Sequence, residues 1–589
     1  MADTRGSSRR ASRRGPQRPQ TPLRSAATSS KSKAPTSRNK QQPAPRTRDG
    51  IEPQSQATAL PSDLWTLLLP FLSWRDTAAM RCVCCEWGHV VSDAKKLHPE
   101  WRSTVLGPSA NGSESLELLR TNHLRWADTR FAPDLLLLSA VSQDPSPWHR
   151  GGYWDEAIAA IEEAKLLPAT CRIVGVFTVN AVLGAREDGE EVTEDDETGS
   201  SAVTLSTSVA HLPQTTVEVA EFDRKDLRRC QRGVELDNPF TVLQDDEHTP
   251  SFMLFGVNDQ SASQLVPVVD EWYPGATVVG AVSPLSDRCV PLATYSGGVQ
   301  VSRGRQDRKA RRNSGAKEQA ASRRRPRGPR CQVAFPSTML LRLQGDVGVR
   351  SFSSSGYAPI TPLIRCERAS VAQELSQVVT YDLVSLLNHN ATEEGPPHRI
   401  MDILEPSERL VIEREGRTLN IFSCQESAPL QHLFDCYSAS KTKLPAPNSA
   451  RIDRLEFVFW LQDRLMSLPA RCWQEGAYGI VASHHPSRTS QALTEALRST
   501  HERLSSARER AFGAFVVAGA LNEVEDPAHA KDVSQLCADV FRGLQLGGCV
   551  VSSSVGPVAF FGGLRPPVVR NIAQVQTHTT CGAIFYMKL

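Results

Sequence analysis

Three short stretches carry side chains whose types could do chemistry together. Cys82, Cys84, Cys85 and His89 offer four soft ligands within eight residues. Zinc takes such ligands in tetrahedral sets with regular spacing. Here the spacing is poor and all four fall on one expected helix, so they read as core side chains. His578, Thr579 and Cys581 offer a base and nucleophiles, but strand alternation puts His578 and Thr580 on one face and Thr579 and Cys581 on the other. Gly547-Gly548 before Cys549 suggests a phosphate turn, yet a third glycine and a following helix are missing, so the pair reads as the turn that starts a strand. His484-His485 close a strand and face solvent. The sequence holds no G-x-S-x-G, no Walker loop and no paired-His metal motif. The expectation is a non-catalytic chain with no cofactor and no metal.

The elements that would position any site sit in a chain of 589 residues with 40% apolar side chains, enough for several domains with real cores. A net charge of +2 conceals a split. Residues 1–50 hold 13 Lys/Arg against 2 Asp, net +11, and residues 301–330 hold 12 against 2, net +10. Of the chain's 67 basic and 65 acidic residues, the rest therefore hold 42 and 61, net −19. Residues 1–56 have almost no aliphatic side chains to offset ordering entropy and are expected to be a disordered basic tail; residues 301–330 read as a disordered basic insertion between strands. Neither interleaves aromatics with its charges, so neither supports specific nucleic-acid binding. Ser12 follows Arg9-Arg10 and Ser314 follows Arg311-Arg312, the arrangement basic-directed kinases prefer, and both are candidate phosphosites. No run of 18 apolar residues occurs, so no membrane span is expected. Fourteen scattered cysteines fit reduced thiols in cytoplasm or nucleus.

Residues 59–101 carry more apolar surface than so short an element can bury. Ser62 and Asp63 cap a first helix on which Leu64, Leu67, Leu68, Phe71 and Leu72 recur. Asp76 stands where it would cap a second, lined by Met80, Val83, Cys84 and Trp87. Leu60-Pro61-x-Asp63-Leu64, then Leu67, Leu68, Leu72, Asp76, the Val83-to-Trp87 group and a closing Trp101 follow the order of an F-box, which this segment resembles. It departs from the family at Thr77, usually aliphatic, and at Cys85, usually basic. The resemblance implies docking on S-phase kinase-associated protein 1, the Skp adaptor, and through it on a cullin. Leu60, Pro61, Leu64, Leu67, Leu68, Leu72, Val83 and Trp87 are the candidate docking residues, some of which must hold the hairpin together instead.

Beyond a polar connector at 103–130 with a short helix near 116–124, the texture becomes strands and helical crossovers: apolar runs at 134–139, 171–178, 251–257 and 277–282, with helical periods at 154–167 and 261–272. Strands resume at 333–343 and 348–352, residues 385–450 read as irregular apart from strands near 410 and 419–422, and 455–468 reads as helical. Strands and helices then alternate from 477 to 586, among them an amphipathic helix at 490–511 with Leu493, Leu497 and Leu504 inward. The runs at 171–178 and 252–257, the Leu236-Asp-Asn-Pro239 turn, the Ser353-x-x-Gly356-Tyr-x-Pro-Ile360 segment and the ending Val558-Ala-Phe-Phe-Gly562 with Thr577-His-Thr-Thr580 resemble the FIST domain. Gly563-Leu564-Arg565 stands where that family usually has Gly-Glu-Ile. The expected fold class is α+β multidomain: a disordered tail 1–56, a small all-α F-box hairpin 57–102, the connector 103–130, and a two-part mixed α/β FIST region, 131–370 and 371–589. The resemblance implies a substrate-recognition subunit of a Skp-cullin-F-box ubiquitin ligase whose FIST region holds an unidentified protein target. The alternative is a FIST sensor for a small ligand without a ligase role.

Overall fold

The computed structural model describes residues 64, 68–83, 85–142, 144, 146–148, 152–178, 181–184, 202–232, 234–240, 249–257, 259–283, 292–296, 333–371, 378–387, 393–398, 419–424, 454–461, 465–469, 476, 478–484, 486–519, 529–551, 553–557, 573–577 and 579–588. The basic tail, the 301–330 insertion, the strand expected near 410, Ser12, Ser314, Leu60, Pro61 and Leu67 lie outside them. The described residues form four β-sheets with connecting and covering helices, a mixed α and β architecture.

Three of the sheets repeat one path. The first unit runs strand Glu100–Ser109, helix Gly112–Thr121, strand Leu135–Ser142, helix Gly152–Glu163, strand Arg172–Thr178, a short arm Ala181–Leu183 and a returning strand Val203–His211. The second runs Thr215–Phe222, helix Arg224–Gln231, Ser251–Gly256, helix Asp259–Trp272, Thr277–Val282, the arm Leu292–Ser296 and the return Thr338–Gly345. The third runs Val347–Ser354, helix Pro486–Ser506, Glu509–Gly519, helix His529–Val540, Leu546–Val551, the arm Ser553–Pro557 and the return Thr580–Lys588. In each, the returning strand lies antiparallel between the first and second strands. The second and third strands are parallel neighbours joined by a crossover helix. Each arm leaves its own unit: that of the second pairs with Arg172–Thr178 in the first sheet, that of the third with Thr277–Val282 in the second, and that of the first with Leu546–Val551 in the third. The exchange is cyclic, so every sheet is completed by a strand from another unit.

Alternation along the strands explains why they cohere. Leu135 and Leu137 turn into an interior shared with Phe255, Leu341, Val349, Val517 and Phe585 from the other two sheets. Leu136 and Leu138 turn the other way, onto Trp154, Ile158 and Ile161 of the crossover helix. A run of four leucines is therefore buried on both faces. The second and third sheets are covered on their outer faces in the same manner by Leu265 and Val269, and by Leu493, Leu497 and Val533.

Four expectations change. Residues 100–109 are a strand of the first sheet, where a polar connector was expected from 103; its buried serines are satisfied, Ser103 N–H by Gln545 Oε1 at 2.9 Å and Ser109 Oγ–H by the Val203 carbonyl at 2.8 Å. The expected division at 370/371 separates strands that pair, since Val347–Ser354 is hydrogen-bonded to Thr580–Lys588. The described residues of 455–468 belong to strands, Arg454–Leu461 and Leu465–Pro469, where a helix was expected, because Phe457, Val458, Phe459 and Trp460 suit a pleated surface and a short apolar run does not fix its own period. The stretch read as irregular contributes Glu393–His398 and the end of Val378–Leu387, and the strand expected at 419–422 is present as Leu419–Cys424. These belong to the fourth, antiparallel sheet, inserted between the first strand and first helix of the third unit; Tyr478–His484 pairs with both Ile364–Val371 and Leu419–Cys424, closing six strands into a ring.

Candidate partner-docking face

The hairpin is built from helical positions at Leu64 and Leu68, a 3-10 turn Leu69–Phe71, helix Trp74–Met80 and helix Cys85–Leu97. Pro70 tightens the first element into that turn. Ser73, not Asp76, is the N-cap of the next helix. Asp76 N–H donates to Ser73 Oγ at 3.3 Å, and Asp76 Oδ2 accepts from Ser73 N–H at 3.1 Å and from its hydroxyl at 2.7 Å. The Ser73 hydroxyl, then its backbone N–H, hold the Asp76 carboxyl below the usual carboxylate range. The single helix expected across Met80 and Trp87 is broken by turns at Arg81–Val83.

The inner side of the hairpin is small and tightly tied. Leu69, Met80 and Val91 bury against Phe131, with Leu72, Trp87, Val90 and Ala94 packed around them. Thr77, the departure from an aliphatic residue, is buried, and its hydroxyl reaches the Arg130 carbonyl at 2.7 Å and the Trp74 carbonyl at 3.0 Å. Arg75 donates to the Lys165 carbonyl. Buried His211 closes the joint: Nδ1 is 2.9 Å from Asp134 Oδ2 and Nε2 is 3.1 Å from the Lys95 carbonyl, so a ring proton on either nitrogen donates to one of them. Phe131 lies against the same ring at 5.3 Å. Side-chain-to-backbone hydrogen bonds thus fix the hairpin to the first unit at three points.

Among the described residues, the outer side is exposed. Leu64 and Leu68 are 42% exposed, Phe71 is 84% exposed and Val83 is 61% exposed. Leu64, Leu68 and Phe71 stand at i, i+4 and i+7, and Val83 projects from the turn between the two helices. The candidate docking residues therefore divide: Leu64, Leu68 and Val83 face outward, while Leu72 and Trp87 hold the hairpin. Val83 was expected on one helix face with Met80 and Trp87; the break after Met80 places it in a turn, exposed, while Met80 is buried. Phe71 is the residue that sequence reasoning left off the docking face, although Pro70 immediately before it signals the tightened turn that rotates it outward.

Elsewhere the reactive groups are sequestered. Burial pushes the Cys537, Cys549 and Cys581 thiols up to about 12 and raises Cys171 further. Cys581 accepts from Ser554 Oγ at 3.2 Å, and His578 lies outside the described residues. Gly547 and Gly548 lie within strand Leu546–Val551, and a Cβ on Gly547 would meet Ser208 Oγ at 1.9 Å, so close sheet approach accounts for the glycine. Among the described residues no group of three or more His, Cys, Asp or Glu side chains could hold a metal ion. Cys82, Cys85 and His89, expected in a core, are exposed. The buried guanidinium of Arg342 is tied to Glu218 and, at 3.1 Å, to the Tyr273 hydroxyl over the Phe240 ring, a structural network. No protein-family model and no curated protein matches the chain.

Proposed function

We propose that this chain is the substrate-recognition subunit of a Skp-cullin-F-box ubiquitin ligase, with residues 57–102 as the F-box that docks on the Skp adaptor and the body as a FIST region that holds the protein target. The carrying observation is the asymmetry of the hairpin: one side is pinned to the first unit through Thr77, Phe131 and His211, while Leu64, Leu68, Phe71 and Val83 stand out of it. Burying a large apolar side chain contributes about 1.5–3 kcal/mol, which the isolated chain forgoes at each of these positions and a partner groove recovers. A helical segment presenting i, i+4 and i+7 anchors suits docking into such a groove.

The attachment matters as much as the face. A receptor that supplies only proximity works by holding two partners in one geometry, and a hairpin hydrogen-bonded to the body transmits that geometry better than one on a flexible linker. The ubiquitin-transfer chemistry then belongs to the recruited conjugating enzyme. Affinity purification of the full chain with identification of its partners tests this reading: recovery of the Skp adaptor and a cullin is the expected result, and their absence would favour a ligand sensor without ligase role.

A further inference from the structure

Lys95 sits in the last turn of helix Cys85–Leu97, and the residue four positions on is Pro99, which has no N–H to give. The Lys95 carbonyl therefore has no helical donor. The group that reaches it comes from another element: His211 Nε2, at the end of strand Val203–His211, lies 3.1 Å away. Across the ring, Nδ1 is 2.9 Å from Asp134 Oδ2, which also accepts the Leu212 N–H at 2.8 Å. Carbonyl and carboxylate oxygens only accept, and the ring between them is 1% exposed, so the ring itself must supply both protons. A neutral imidazole carries one N–H and an imidazolium two. With one, the carboxylate side holds it as the stronger partner, and Nε2 then turns a lone pair toward the Lys95 oxygen, a repulsive contact. Only the charged ring closes both bonds. We propose that His211 is a protonation-dependent latch on the end of the second hairpin helix, closed by the imidazolium and opened when the ring loses its proton.

The sign follows from linkage: closure binds a proton, so the latch is shut on the acid side and opens as pH rises. A cation at a helix C-terminus is favoured in the same direction. The charged groups of the elements packed on the ring are Glu100, its cross-strand partner, which is paired with Arg130 at 3.6 Å; Arg172, whose N–H bonds to the Asp134 carbonyl at 2.9 Å; and Lys95, Lys96 and His98 at the helix end. Burial, then the nearby Arg130 and Arg510 guanidinium groups, hold the His98 imidazole below its usual value, so its own charge change lies to the acid side. The ties from Thr77 to the Arg130 carbonyl and from Arg75 to the Lys165 carbonyl involve no group that titrates in the histidine range and persist. Opening therefore frees the end of one helix and not the whole hairpin. The consequence for function rests on the docking role given to the hairpin: an open latch loosens the geometry in which the adaptor is held and leaves the outward face as it is.

The test uses the full chain. Ring-nitrogen resonances of histidine-labelled protein, with His211→Gln for assignment, read the ring directly across about pH 5 to 8, the range in which histidine changes charge. Two bonded N–H protons are expected on the acid side and one on the basic side. Hydrogen exchange, corrected for its intrinsic pH dependence, reads the latch. Protection at the end of helix Cys85–Leu97, relative to helix Gly152–Glu163, should fall at least about tenfold as pH rises through that range. His211→Gln should remove the dependence, and His98→Gln should leave it in place. Asp134→Asn, which replaces the carboxylate by a neutral acceptor, should move the change to lower pH, a readout that stands even where His211→Gln folds poorly. A single ring proton at every pH, or wild-type protection that does not change with pH, would overturn the latch. Adaptor affinity at both ends of the range separates the two readings: a latch that switches in a chain that never binds the adaptor would overturn the docking role alone.

Discussion

Thr77 and Asp76 show how single residues fix the hairpin. The buried Thr77 hydroxyl satisfies the Arg130 carbonyl across the joint, so Thr77→Val, which keeps the shape and strands that acceptor, is expected to lower unfolding free energy by about 1–2 kcal/mol. Thr77→Ser should recover much of it, and denaturant unfolding of the three chains measures the difference. Asp76 sets a pH dependence. Its folded pKa is lowered, first by the Ser73 hydroxyl, so its contribution is present above the ordinary carboxylate value and is lost as pH falls through the lower folded one. Amide exchange of helix Trp74–Met80 should accelerate, relative to a reference helix, below about pH 4, and Asp76→Asn should remove that acceleration; an unaltered profile would contradict the cap. The apolar pattern made Leu64 and Leu68 legible from sequence as docking candidates. Which of the eight candidates turn inward was not, because that depends on the break after Met80 and on Phe131, some fifty residues away in sequence.

Among the elements, strand Glu100–Ser109 is the instructive case. Trp101 occupies the closing position of the F-box pattern, yet its ring lies 4.5 Å from Phe585 in the interior shared by the three sheets and directly over Gly513, where a Cβ would come within 2.3 Å of Trp101 Cγ. Trp101→Ala is therefore expected to cost about 3–5 kcal/mol of global stability, as a large core truncation does. Calorimetry checks this, and a loss of docking without loss of melting temperature would place Trp101 in the hairpin instead. Gly513→Ala should act in the same direction from the opposite side. The strand escaped sequence reasoning because Arg102, Ser103, Thr104 and Gly107 lower its apolar signal, while the bonds that satisfy its buried serines come from Thr207, Val203 and Gln545, distant in the chain. By contrast, helix Pro486–Ser506 was readable in existence and in facing, since Leu493, Leu497 and Leu504 are all buried, although it was expected at 490–511 and its last expected residues open strand Glu509–Gly519. Periodicity reports one element's own burial; it does not report partners.

At the scale of the molecule, the crossover texture was legible, but the threefold repetition with exchanged arms was not. The arms are short: Ala181–Leu183 has three residues and Ser553–Pro557 five, too few to carry a pattern, and their partners are set only by the assembled sheets. The exchange makes the three units mutually dependent. A fragment ending at residue 345 leaves Thr277–Val282 without Ser553–Pro557 and exposes the inner faces of two sheets, so it should not fold on its own. Circular dichroism and limited proteolysis of that fragment check this; a stable, protease-resistant fragment would contradict interdependence. A body built this way is a suitable platform for a hairpin that must be held in one place. That the outward face of the hairpin docks on the Skp adaptor is the central claim, and Leu64→Asp with Leu68→Asp in the full chain tests it most directly. Each carboxylate placed in a desolvated interface costs several kcal/mol, so calorimetric titration with the adaptor should show at least about a hundredfold loss of affinity at an unchanged melting temperature. Equal binding by the double variant, or no binding by the wild-type chain, would contradict the account.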